Sequence, residues 1–184
     1  MAPLYVLIGI IVVAVLWCAM TYNGLIRLRN QVKNAWAQID VQLKRRYDLI
    51  PNLVEVVKDY MGYEQETLQN VTKARNLAMN AQGPQAQAQA DSEVSHALGG
   101  LYVVMENYPD LKANQNVSEL QEELTSTENK IGFARQFYND SVTAYNTRIQ
   151  VFPAVIVANM TGFKEEELFS IAEEEKAVPK VDLR

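Results

Sequence analysis

One histidine and one cysteine bound the chemistry available to this chain of 184 residues. His96, in SEVSHALGG, would have to carry any imidazole acid–base step alone, and a lone helical histidine is ordinarily a surface or packing residue. One Cys and one His cannot supply the three or four protein ligands of a zinc site, and Cys18 has no partner for an intrachain disulfide. Glu64 and Glu66, in YEQET, faintly resemble the glutamate of a metalloprotease helix, but that motif needs two histidines four residues apart. No phosphate-binding glycine loop and no nucleophile–base pair stands in the sequence. The residues therefore predict no catalytic, cofactor-binding or metal-binding position.

What the charged and polar residues do suggest is contact. The net charge of −5 argues against nucleic acid as a partner, but its distribution is uneven. From Arg27 to Arg46 there are six basic residues and one acid; from Lys164 to Lys176 there are six glutamates and two lysines. Lys44, Arg45 and Arg46 form a basic cluster with two readings. It binds anionic lipid if its helix lies flat on the membrane. If the helix stands upright, Arg45 is roughly 28 Å beyond Ile26, past the reach of screened attraction. The cluster then pairs with acids such as Asp40 or Asp48, or with another subunit. Glu165, Glu166 and Glu167 begin the acidic end, read either as a solvated helix face or as a docking tail for a basic partner.

Tyr138-Asn139 returns seven residues later as Tyr145-Asn146, which places both pairs on one helix face beside an apolar stripe. Arg135 and Glu128 flank that face. Buried tyrosines and asparagines fix register through hydrogen bonds, so these residues are expected to set register, with a subunit contact or a ligand site as the other readings.

The elements that must hold these residues are nearly all helical. Residues 2–26 carry no charged side chain, and Leu4 to Met20 is almost continuously apolar. A bilayer crossing takes about 20 residues, so the segment spans if its flanks share the task, with Tyr5 and Tyr22 at the interfaces. A cleaved signal peptide would want a basic start and small residues before the cut; here nothing basic precedes Leu4 and Trp17 precedes Cys18. Arg27, Arg29 and Lys33 follow the span, which predicts the N-terminus outside and the bulk of the chain in the cytoplasm.

Apolar positions then recur at steps of three and four: Leu25, Leu28, Val32, Ala35, Ile39, Leu43, Arg46, Ile50. Only Arg46 breaks the stripe. Pro51 predicts a break or kink near Asp48 to Pro51. A second stripe runs Leu53, Val57, Tyr60, Leu68, Val71, Ala74, Ala78 to Gly83-Pro84. Residues 82–92 (QGPQAQAQADS) read as a polar loop at the bundle tip. A third helix is expected from about Ser92 to Tyr108, and a fourth from near Asn116 to Phe152-Pro153. The fold class predicted is all-α, an antiparallel four-helix-type bundle of long helices with an N-terminal transmembrane helix. Its divisions are an anchor at 1–26, a cytoplasmic bundle at 27–163 and an acidic tail at 164–184.

Several segments together also resemble the bacterial LemA family: AWAQIDVQLKRRYDLIPNLVEVVKDY (35–60), VTKARN (71–76), ENYPDLKAN (106–114), LTSTENKIGFARQFYND (124–140), AYNTRIQVFP (144–153) and GFKEEELF (162–169). The resemblance implies a four-helix core, an inner-membrane anchor, no established enzymatic activity, and kinship with a magnetosome membrane protein involved in vesicle formation. It also implies a membrane zinc protease as a candidate partner, because in some bacteria the genes are neighbours. It carries over no catalytic residue. The glutamine- and alanine-rich stretch at 82–92 looks individual to this chain. The expected function is a self-associating scaffold on the lipid bilayer, with an adaptor for a membrane protease as the alternative.

Overall fold

The computed structural model describes residues 2–170. The second acidic triplet, Glu173 to Glu175, lies outside the described residues. Six helices follow in order: α1 (Ala2–Lys58), α2 (Gln65–Asn80), α3 (Pro84–Met105), α4 (Pro109–Ala113), α5 (Gln115–Gln150) and α6 (Ala154–Thr161). Among the described residues there is no strand. The all-α expectation holds.

α1 is one helix of 57 residues, about 85 Å long at the usual rise. Its first third carries an apolar window with a mean hydropathy of 2.6, long and apolar enough to cross a membrane. Side chains from Leu4 to Leu16 point outward with no protein cover. From Leu25 onward one face is buried at Leu25, Val32, Ala35, Ile39, Leu43, Ile50, Leu53 and Val57, the stripe read from the sequence. α5 packs along this face and runs antiparallel to it. Gln31 reaches Ser141 and Arg45 reaches Glu123, so residue numbers fall on one helix as they rise on the other. α2 and α3 form a hairpin beside them, closed by Gly83, whose φ of 86° suits glycine, and by Pro84 at the first turn of α3.

No break occurs near Pro51: α1 continues as helix through it to Lys58. Proline cannot donate the bond to the carbonyl four residues back, which here is that of Tyr47. Arg75, on α2, donates its Nε to that carbonyl at 2.6 Å. A tertiary donor thus replaces the missing local one. The Arg75→Ala substitution should leave the Tyr47 carbonyl unsatisfied and destabilise the bundle by about 1–3 kcal/mol. Adding Pro51→Ala, which restores the local N–H, should recover most of that loss. A double-mutant cycle on unfolding midpoints reads the coupling. Purely additive losses would mean that Arg75 does not stand in for the proline.

The loop expected at 82–92 is also overturned. α3 starts at Pro84, and Gln87, Ala88 and Asp91 are buried. The second stripe is divided, with α1 ending at Lys58 and α2 beginning at Gln65; between them Met61 tucks into the core. At that distal end Tyr108 donates to Glu64 and Asn114 donates to the Tyr60 hydroxyl. Asn114 also caps α5, its side chain accepting from the backbone of Asn116 and Val117.

Candidate functional site: a helix groove, a strap and a buried charge cluster

The tyrosine–asparagine repeat on α5 holds the chain's own C-terminal segment. After α6, Gly162 adopts a left-handed conformation (φ 74°) and the Phe163 N–H bonds back to the Ala158 carbonyl at 3.0 Å. This closes the helix in a Schellman turn and sends residues 163–169 back as a non-helical strap lying against α1 and α5. Tyr145 donates its hydroxyl to the Lys164 carbonyl and Tyr138 donates to the Glu167 carbonyl, both at 2.8 Å. Asn146 takes Glu166 by both backbone groups, donating to its carbonyl and accepting from its N–H. Asn139 does the same with Phe169.

The spacing explains the fit. Seven helical residues rise about 10.5 Å, and three extended residues cover about 10 Å. A heptad on α5 therefore meets a three-residue repeat on the strap, in the opposite direction. The side-chain amide serves each asparagine's strap residue as a neighbouring strand would. Two phenylalanines pin the ends. Phe163 lies against Tyr22 and Tyr145, with the Arg29 guanidinium 5.2 Å from its ring centre. Phe169 is buried against Trp36, with the Arg135 guanidinium at 5.0 Å. Burial, and then the nearby Glu166 and Glu167 carboxylates, push the Tyr138 hydroxyl up to about 12. Tyr145 is raised by burial and then by the Glu166 carboxylate, with the Arg29 guanidinium acting against them.

Glu165, Glu166 and Glu167 thus sit on a strap rather than on the helix face read from the sequence. Glu165 accepts from the Gln150 side chain, Glu166 is half-buried and Glu167 is exposed.

Arg135 joins the strap to a second cluster deeper in the bundle. Asp91, fully buried, accepts from Arg46 through Oδ1 at 2.8 Å and pairs with Arg135 through Oδ2. Arg46 also donates to Ser95 at 2.9 Å and lies 2.8 Å from Glu128, an ion pair rather than a directed hydrogen bond. Two cations and two carboxylates make the cluster neutral, which is what a buried charge requires. Burial lowers both guanidinium pKa values; Glu128 acts against this at Arg46, while Arg46 adds to it at Arg135. Beside them Gln87 donates to the Tyr47 hydroxyl and to the Ala78 carbonyl.

The rest of the basic cluster is outside. Arg45 forms an exposed ion pair with Glu123, and Lys44 and Asp48 are exposed on α1. The sequence pattern singles out neither Asp91 nor Gln87, because it predicts a loop where their helix begins. Nor does it mark Arg75, Phe163 or Phe169. The signal for Asp91 was Arg46 itself, an unpaired cation in an apolar stripe. Among the described residues no group of three or more potential metal ligands gathers.

The arrangement defines a class: an apolar membrane-type helix running unbroken into a helical bundle whose seam is closed by its own C-terminal strap. The sequence pattern of the LemA family matches residues 35–183, and the chain belongs to that family. It is similar to the protein LemA of Metamycoplasma hominis, 27% identical over 84% of this chain and 71% of that one. It is similar also to magnetosome protein MamQ of Magnetospirillum gryphiswaldense and magnetosome protein MamQ 2 of Paramagnetospirillum magneticum. Each is 24% identical over 82% of this chain and 65% of the relative's own length. The chain thus spans about two thirds of the magnetosome relatives. Together with the apolar first third of α1, these matches make it a membrane-associated protein.

Proposed function

We propose that the chain is a non-enzymatic scaffold of the bacterial inner membrane, which self-associates through its α1–α5 face and so organises or remodels the bilayer. Its N-terminus lies outside and the bundle in the cytoplasm, following the cations after the span. One observation carries the reading. Val41 on α1 and Phe133 and Phe137 on α5 stand exposed, Phe133 at 74% and Val41 at 62%, with an open groove between them. Phe137 is roughly 200° around α5 from Asn139, so this face is separate from the strap. Large apolar side chains grouped on a surface mark an interaction site.

A second copy is the fitting occupant. α1 continues directly from the span, so copies anchored in one membrane present this face at one height and in one orientation, as cyclic assembly requires. The Phe133→Asp and Phe137→Asp pair should convert the particle, extracted in gentle detergent, from a multimer to a monomer, read by native mass measurement. A monomeric natural protein, or a variant assembly of unchanged size, would falsify the proposal. The adaptor reading has a narrower basis. It rests on the exposed charges of Lys164 and Glu167 at the start of the acidic end, and its partner is a membrane protease. Retained multimers in the presence of an unbound acidic end would favour the scaffold over it.

A further inference from the structure

We propose that α6 is a second membrane contact, a short helix seated in the headgroup–acyl boundary of the bilayer that α1 crosses. Residues 151–162 (VFPAVIVANMTG) contain no charged side chain. The helix has two faces. Ala154, Val157 and Ala158 are buried against the bundle, while Ile156 and Met160, four residues apart, face outward, as does Phe152 in the turn that leads into the helix. Phe152 is 80% exposed and Met160 82%.

Position selects the occupant. α6 packs on both α1 and α5. It leaves α5 at Gln150, the end that antiparallel pairing sets near Tyr22, and Phe163, one residue past its Gly162 cap, rests on the Tyr22 ring. Thr21 and Leu25 are buried there, directly after Met20, where the outward-facing apolar run of α1 ends. The exposed face of α6 is therefore continuous with the outer surface of the span. Arg148 and Lys164 flank the uncharged stretch and Arg27 follows the span. All three are exposed, and none forms an ion pair among the described residues. Because Glu165 and Glu167 stand exposed directly after Lys164, it is the large apolar side chains on the outward side of the helix, rather than net charge, that suit it to the headgroup–acyl boundary. The inference rests on α1 crossing a bilayer and is independent of self-association.

The test uses the full chain with Cys18→Ser and one new cysteine carrying an environment-sensitive dye. The protein sits in vesicles of phosphatidylethanolamine and phosphatidylglycerol, with lipids spin-labelled at a shallow or a deep acyl position. Dye at Met160→Cys should lose most of its emission to the shallow label and little to aqueous iodide. Dye at Val12→Cys should respond to the deep label and reports whether α1 is inserted. Dye at Lys73→Cys, on α2 in the bundle, should respond to iodide alone. A Met160 dye quenched by iodide and untouched by lipid labels, with Val12 inserted, overturns the proposal. So does a Met160 dye shielded from both quenchers at high protein density and opened to iodide on dilution with lipid, because a second copy then covers the face. Loss of the Val12 response would instead overturn the spanning role of α1 and this inference with it.

Discussion

Replacing Asp91 by alanine is expected to destabilise the bundle by about 3–5 kcal/mol, the usual penalty for stranding a buried charge. Asp91 has no exposed surface and holds two guanidiniums, those of Arg46 and Arg135. Its removal leaves two like charges facing each other inside the protein, with only Glu128 nearby, and Glu128 is 43% exposed and screened by water. Denaturant unfolding of the full chain in detergent should show the loss. Trp36 is a suitable reporter because it packs on Tyr138 and Phe169. The triple replacement Arg46→Met, Asp91→Leu, Arg135→Met is expected to be near neutral or stabilising in the core, because apolar side chains of similar shape avoid the desolvation of the charges. It should still loosen the strap, since Arg135 also stacks on Phe169. An Asp91→Ala protein that unfolds at the natural midpoint would show that water reaches the cluster and that the charges are not truly buried.

This cluster also shows what the sequence could and could not reveal. Period and composition were enough for α1, α2 and α5, because their buried faces are apolar and repeat at helical spacing. They failed at residues 84–92 because the buried face there is Gln87, Ala88 and Asp91, which a hydrophobicity count scores as solvent-facing. The apparent defect at Arg46 in one helix and the apparent loop in another are two halves of one contact. Neither half is interpretable alone, since a buried ion pair is defined by its partner. Pro51 failed for a related reason. The local rule that proline breaks a helix is sound, but Arg75, 24 positions later in the chain, supplies the missing donor from α2.

The tyrosine–asparagine repeat was legible as a pattern and not as a contact. Seven-residue spacing showed that the four side chains share a face. Nothing in that spacing says that the partner is an extended peptide with a three-residue repeat, because the strap itself has no helical or strand periodicity to read. Its GFKEEELF sequence looks like a charged helix surface. It is held chiefly through backbone groups, to which side-chain patterns are blind.

Removing both asparagines, Asn139→Ala with Asn146→Ala, is expected to detach the strap while leaving α5 helical. The pair deletes four hydrogen bonds between α5 and the strap. At about 0.5–1.5 kcal/mol net per bond, the loss is about 2–6 kcal/mol, enough to open the strap locally without unfolding the bundle. The sensitive probes are the amide hydrogens of Glu166 and Phe169, each bound to an asparagine oxygen. Their exchange should accelerate by about tenfold or more, one factor of ten for every 1.4 kcal/mol, while the core amides of α5 hold. Alkaline pH offers an independent route to the same opening. The Tyr138 hydroxyl ionises near 12 in the fold against about 10 in an unfolded chain. A raised pKa means that the neutral, hydrogen-bonded phenol is the form the fold favours. Its contribution is therefore fully present below pH ~10 and is lost as pH rises toward about 12. The strap amides should deprotect across that window in the natural protein, and the pH dependence should weaken in Tyr138→Phe, which has no proton to lose. If the double asparagine variant exchanges at Glu166 and Phe169 no faster than the natural chain, the aromatic ends alone hold the strap, and the heptad-to-triplet match between α5 and residues 164–169 contributes nothing to it.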